Sequence, residues 1–171
     1  QGLKEILPNP NQGNPGQMLV LNQDNSAFRF ETVPNSISFH AYLDKYSYPI
    51  DRSNWKIIPL NSVLYDSNKS FDMKYHFYSI PIKGMWNFIG KVFFHNEENR
   101  NLLSLRFTKN DKIITEISNY HKEEKNWEAI SDGFVCECDV GDRIQLQTYH
   151  YKNLKSGIYG TYLQGRYLGP I

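Results

Sequence analysis

Five histidines, His40, His76, His95, His121 and His150, are scattered singly along the chain. A metal site needs two or more donors converging from neighbouring positions, so each reads as a solitary surface or core imidazole. The carboxylate groups Glu97–Glu98, Glu123–Glu124 and Asp139 with Asp142 fall in turn-forming stretches, where a solvated role is the default. Calcium would need a recognisable series of oxygen ligands, and none is spaced that way; no cofactor and no metal is expected, calcium being the one ion that loop carboxylates leave open. Cys136 and Cys138 would point the same way from alternate strand positions, an awkward geometry for bridging each other. They read as two small buried thiols rather than a redox or metal pair. There is no Gly-rich phosphate loop, no His-Glu-x-x-His helix and no Gly-x-Ser-x-Gly elbow. Hydrolysis of a glycan would require two acids facing one groove, and nothing in the spacing supports it. Binding is expected, not catalysis.

The binding candidates sit between the apolar runs. Residues 44–54 hold Tyr46 and Tyr48 beside Lys45 and Arg52, over a span long for a β-connection. Residues 119–128 hold Tyr120, His121 and Trp127 among five charged residues. Residues 149–159 hold Tyr151 and two further tyrosines beside Lys152 and Lys155. Aromatics with polar neighbours offer protein or sugar contacts, with large apolar area at low entropic cost. The opposite reading stays open: Trp127 could cap the core, and Tyr149, Tyr159 and Tyr162 could be buried between protomers.

The elements that must position these residues are strands. The runs 36–43, 56–60, 75–80, 85–94, 102–107, 113–117, 134–138 and 144–149 are strand-length and rich in β-branched or aromatic residues. Turn-forming clusters at 66–68, 83–84, 96–101, 109–111 and 140–142 separate them. No stretch keeps a helical spacing, so periodicity alone predicts an all-β sandwich or jelly roll. The 171 residues suffice for one sizeable core. Charged residues make up 22% with a net charge of +1 and no basic stripe, which argues against a nucleic-acid partner. No apolar run is long enough to insert in a bilayer. The chain opens at Gln1 without a leader pattern, and is expected to be a piece of a longer parent.

Residues 1–35 differ in composition from the rest. Pro8, Pro10, Gly13, Pro15 and Gly16 punctuate an Asn/Gln-rich stretch. A short apolar strand over 16–22, a turn at Asp24–Asn25 and a second strand over 27–31 follow. This unit is too short to bury its own apolar face unless three copies meet around an axis. It resembles the Gly-Gln-apolar-turn-aromatic units of bacteriophage and other viral fibre stalks; a plain linker is the alternative.

One series of positions is more specific. Leu60, Asp66, Phe71, Tyr78, Gly84, Trp86, Phe88 and Gly90 resemble the signature of the globular head of complement C1q and its relatives. Four further segments agree in order. These are the alternating run 37–43, the apolar strand and Lys109-Asn110-Asp111 turn of 102–111, Gly141-Asp142-Arg143 leading into 144–147, and the closing stretch 162–168 with Gly165. Asp111 stands where that family usually has Gly, and Gly90 stands where it has an aromatic residue.

The resemblance implies a ten-stranded jelly-roll β-sandwich over 36–171, shared with the tumour necrosis factor superfamily, behind a stalk or linker over 1–35. It implies a homotrimer located extracellularly or on a virion surface, recognising a cell-surface protein or glycan through its loops. A viral fibre or spike tip used in host attachment is the leading expectation. A secreted C1q-like protein with a collagen-type stalk and a purely structural trimerisation or capsid-decorating domain are the alternatives. Gly165 suggests a close backbone approach near a threefold axis. Asn68-Lys69-Ser70 is a lone glycosylation sequon.

Overall fold

The computed structural model describes residues 17–21, 27–32, 37–44, 54–95, 101–121, 127–149 and 160–171. Every strand pair among them is antiparallel. The first large sheet runs in the order β11 (Trp127–Cys138), β8 (Gly84–His95), β13 (Tyr162–Gly169), β3 (Ser38–Tyr42), β5 (Ser62–Asp66). The second runs β10 (Lys112–His121), β9 (Asn101–Lys109), β12 (Arg143–Tyr149), β7 (Phe77–Ser79), β6 (Phe71–Asp72). Two five-stranded paths give the expected ten strands. An extra two-residue strand, β4 (Lys56–Ile57), pairs with β12 further along. The hairpin of β1 (Gln17–Leu21) and β2 (Phe28–Thr32) forms a sheet of its own, with Leu19 opposite Phe30.

Two-residue alternation sorts side chains between core and surface. Along β8, Trp86, Phe88, Gly90 and Val92 are buried while the intervening residues are not. The rings of Phe39 and Tyr78 stack across the two sheets at 3.7 Å, and Trp86 meets Tyr167 edge-on at 5.5 Å. Phe134 joins Phe107 of the second sheet to Phe88 of its own, at 4.8 and 5.3 Å. Leu60, Tyr78, Trp86 and Phe88 of the signature are fully buried. Flat rings fill the roughly 10 Å gap between packed sheets. Asp66 serves the fold differently: its carboxylate accepts the amides of Asn68 and Phe71 and closes the turn between β5 and β6.

Gly90 resolves the missing aromatic. A Cβ there would lie 2.5 Å from Leu146 Cδ1 and 2.6 Å from Phe107, so the opposite sheet already fills the space. Gly165 makes a close approach within the sandwich: a Cβ there would lie 2.6 Å from the Phe39 ring and 2.7 Å from the Phe88 ring.

Strand extents differ from the sequence reading in places. The run 75–80 starts as a turn: Asp72 accepts the Lys74 and Tyr75 amides, and His76 adopts φ 57 with its ring bonded to the Leu60 carbonyl. The run 56–60 is a strand only over Lys56–Ile57; the Ile58 amide still donates to the Leu146 carbonyl at 2.9 Å, and Pro59, with no amide, ends the pairing. β5 and β6 are strands absent from the sequence reading: each is short and runs into the Asp66–Ser67–Asn68 and Asp72 turns.

Candidate functional site

The register fixes a polarity for the molecule. Tyr42 lies opposite Tyr162, and Tyr162 opposite Lys91. Trp127 pairs with His95, His121 with Asn101, and Lys56 with Thr148. The strand ends that flank 45–53, 96–100, 122–126 and 150–159 therefore lie together at one end of the sandwich. The tight turns 109–112 and 139–142 lie at the other, as does Ile37, where the chain enters. Long-connection end and entry end are opposite.

The sequence-derived ligand candidates divide on this frame. Tyr46, Tyr48, Arg52 and Tyr151 lie outside the described residues. Tyr120, His121 and Trp127 are not in a loop, contrary to expectation. The β9–β10 ladder continues through Tyr120 opposite Leu102 and His121 opposite Asn101, and β11 starts at Trp127. Apolar partner strands sustain pairing up to the charged run, so these three mark the rim of the long-connection end.

The described residues add a cluster there that sequence did not show. The Arg106 guanidinium sits 4.3 Å from the Trp55 ring, and Trp55 lies 5.5 Å from Tyr149. Arg106 Nε donates to Gln147 Oε1 at 2.8 Å, which fixes the planar group against the indole. Partial burial pushes the Arg106 guanidinium down from its usual value, with Glu116 opposing. Trp55 immediately precedes β4 and Arg106 lies in β9, and only the sheet register joins them; no local signal in the sequence does.

Two broad faces complete the surface. On the outward side of the first sheet, His40 is only 6% exposed because the rings of Tyr162, Tyr65 and Tyr42 surround it at 4.9, 6.1 and 6.4 Å. His40 Nδ1 lies 3.1 Å from Gln164 Oε1. Beside them is an open depression of about 480 Å³ lined by Ser38, Tyr65, Asn87, Ile89, Gln164 and Arg166. Tyr65, Ile89 and Val135 are exposed apolar groups on this face. On the outward side of the second sheet a shallower depression of about 440 Å³ is lined by Ile57, Tyr75, Phe77, Arg143 and Gln145 with two aspartates.

At the entry end, Asp142 ties the turns together. Its carboxylate accepts Asn110 Nδ2 at 2.7 Å and the Asp139 amide at 3.0 Å, and pairs with Lys109 at 3.4 Å. Burial alone would raise this carboxyl, but those hydrogen bonds and the ammonium outweigh it and hold it below the usual range. Among the described residues, no three His, Cys, Asp or Glu side chains converge as a metal-ligand set. No helix among them is long and apolar enough to cross a membrane.

Two antiparallel sheets in this strand order define the jelly roll of the tumour necrosis factor and C1q type. Solved structures with this fold include the Eiger TNF of S. frugiperda, with a TM-score of 0.64 over 79% of this chain and 94% of that one at 6% identity. The globular domain of zebrafish complement 1qA covers 80% and 100% with a TM-score of 0.57 at 15% identity. Murine APRIL covers 77% and 98% with a TM-score of 0.60 at 12% identity. At such identities the likeness is one of fold. No protein-family model and no curated protein sequence matches the chain.

Proposed function

We propose that this chain is a homotrimeric extracellular recognition head that binds a cell-surface protein or glycan, and specifically the receptor-binding tip of a viral fibre or spike. The observation that carries the reading is the polarity of the sandwich. The chain enters at one end, and the long connections holding Tyr46, Tyr48, Arg52 and Tyr151 leave from strand ends at the other. Tyr120, His121 and Trp127 stand at their rim, and Trp55, Arg106 and Tyr149 form an aromatic–cationic cluster beside them. A stalk from 1–35 would hold that end away from its anchor. Stacking rings with a fixed guanidinium suit a sugar face or a peptide surface.

The outward face of the first sheet supports the trimer. Exposed Tyr65, Ile89 and Val135 on the face that also holds the nearly buried His40 are apolar groups of the kind that soluble proteins cover with a partner. Three weak sites on one axis would then act together, so that avidity exceeds each contact by roughly 10²–10⁴.

Two measurements test this. Light scattering coupled to size exclusion should give a mass near three chains; a monomer removes the avidity mechanism. Alanine at Tyr46, Tyr48 and Trp127 together should abolish binding to a glycan array and to a panel of cultured cells, with the thermal midpoint tracked alongside. Undiminished binding by a folded triple variant would assign the domain to trimerisation or capsid decoration instead.

A further inference from the structure

Cys136 and Cys138 are both free, and their sulfurs lie 3.4 Å apart on the inward side of β11. Strand alternation alone would leave them parallel and separate; here the side chains turn toward each other. Lys109 pins the residue between them: its Nζ donates to the Glu137 carbonyl at 3.0 Å and pairs with Asp142. A cation is thus anchored at the backbone between the two thiols, and a neighbouring cation favours a thiolate.

The two thiols are unequal. Cys136 is half-buried and Cys138 is fully buried. The hydrogen bond from Cys138 pulls the Cys136 thiol down, burial opposes this, and Lys109 adds to the lowering. Donating that bond and being buried both push Cys138 up. Cys136, the one open to solvent, is the sulfur an incoming disulfide can reach, with Cys138 buried 3.4 Å behind it.

We propose that Cys136 and Cys138 form a reversible dithiol–disulfide couple, oxidised by small-molecule disulfides such as glutathione disulfide. The Cys136 thiolate attacks one sulfur of glutathione disulfide, forming a mixed disulfide and expelling one glutathione thiolate. Cys138 then gives up its proton to that thiolate and attacks Cys136 Sγ, forming the intrachain bond and expelling the second glutathione. The protein loses two hydrogens, and one glutathione disulfide becomes two glutathiones.

The fold allows this step and makes it reversible. Cα atoms two apart in a strand are about 6.6 Å apart, near the upper limit of about 6.8 Å that a disulfide spans. Closing the bond therefore puckers the strand, which favours easy reduction. Among the described residues β11 is an edge strand, with β8 its one neighbour in the sheet, so one ladder yields rather than two. The pucker falls opposite Gly84–Trp86 and next to the Asp139–Asp142 turn, and draws the Glu137 carbonyl away from Lys109.

The test equilibrates the full chain in glutathione redox buffers under native conditions, alkylates remaining thiols and reads intact mass. A single transition to a species lighter by two hydrogens, with neither cysteine alkylated, supports the couple. Cys138→Ala should instead accumulate a glutathione adduct on Cys136, and Cys136→Ser should leave Cys138 unmodified. Lys109→Met should slow attack several-fold. Persistence of two alkylatable thiols in oxidising buffer, disulfide-linked dimers in place of the intrachain bond, or adduct formation at Cys138 in preference to Cys136 would each overturn it.

Discussion

Tyr78 is fully buried, stacked on Phe39, and its hydroxyl makes no well-formed hydrogen bond among the described residues, the Ser70 side chain offering only a weak one. Burial pushes the phenol well above its usual range, the Asp66 carboxylate adds to this, and nearby Ser70 offsets only part. An unpaired buried hydroxyl costs about 1–3 kcal/mol. Tyr78→Phe keeps the stack and removes the orphan, so its urea unfolding free energy should equal or exceed the wild-type value. A loss above about 1 kcal/mol would show that the hydroxyl is satisfied after all. Gly90→Ala should do the opposite. Its methyl must displace Phe107 and Leu146, at a cost of about 1–3 kcal/mol, and an unchanged urea midpoint would contradict the packing. The signature rings were legible in the sequence because bulk and flatness suit a sheet gap whatever the neighbours. Gly90 was not, since the residues that fill its space belong to the opposite sheet. His40 was illegible for a related reason: it looks solitary along the chain, yet Tyr162 and Tyr65 of the two neighbouring strands join Tyr42 of its own strand to enclose it.

At the scale of elements, the β9–β10 hairpin turns on Asn110 and Asp111, both at positive φ (52 and 66). Such two-residue turns favour Asn followed by Gly, which carries no Cβ penalty. Asp111 gains an ion pair with Arg143 at 3.0 Å, but both groups are exposed and the pair is worth little. Asp111→Gly should therefore stabilise by up to about 1 kcal/mol, read as a higher urea midpoint; destabilisation would mean the ion pair outweighs the strain. Asp142 carries the opposite expectation. Its carboxylate holds the 109–112 and 139–142 turns together, so Asp142→Asn should cost about 1–3 kcal/mol at pH 7. Its folded pKa is depressed, so this stabilisation is complete above the unfolded value near 3.9. It is lost as pH falls through the folded value. The gap between wild type and Asp142→Asn should thus narrow below about pH 4, and a gap constant with pH would exclude the carboxylate charge as its source. Turn residues made most strand ends readable. The charged run after His121 disguised the ends of β10 and β11, which end later and begin earlier than composition suggests because apolar 93–95 and 102–103 keep them paired.

For the whole molecule, both outward faces carry exposed apolar groups. The second sheet presents Ile57 and Tyr75 among glutamines, threonines and ion-paired side chains. The first presents Tyr65, Ile89 and Val135, with the His40 imidazole shut off from solvent among its tyrosines. If three copies meet on the first face, each square ångström of apolar area removed from water returns about 25 cal/mol. Ile89→Glu places a charge beside Gln164 on that face, while Val140→Glu places one in the entry-end turn, where Val140 is 66% exposed. A charge is tolerated in water but not in an apolar contact. Ile89→Glu should therefore reduce the solution mass from near three chains to one with its β-sheet circular dichroism intact, and Val140→Glu should leave the mass unchanged. The same Ile89→Glu protein should keep its single-site affinity for a soluble ligand and lose the roughly 10²–10⁴-fold avidity toward a ligand-coated surface. A trimer that survives Ile89→Glu would place the threefold contact on another face. The long-connection end would then have to be reassessed too, because its elevation above the anchor depends on the sandwich standing along that axis.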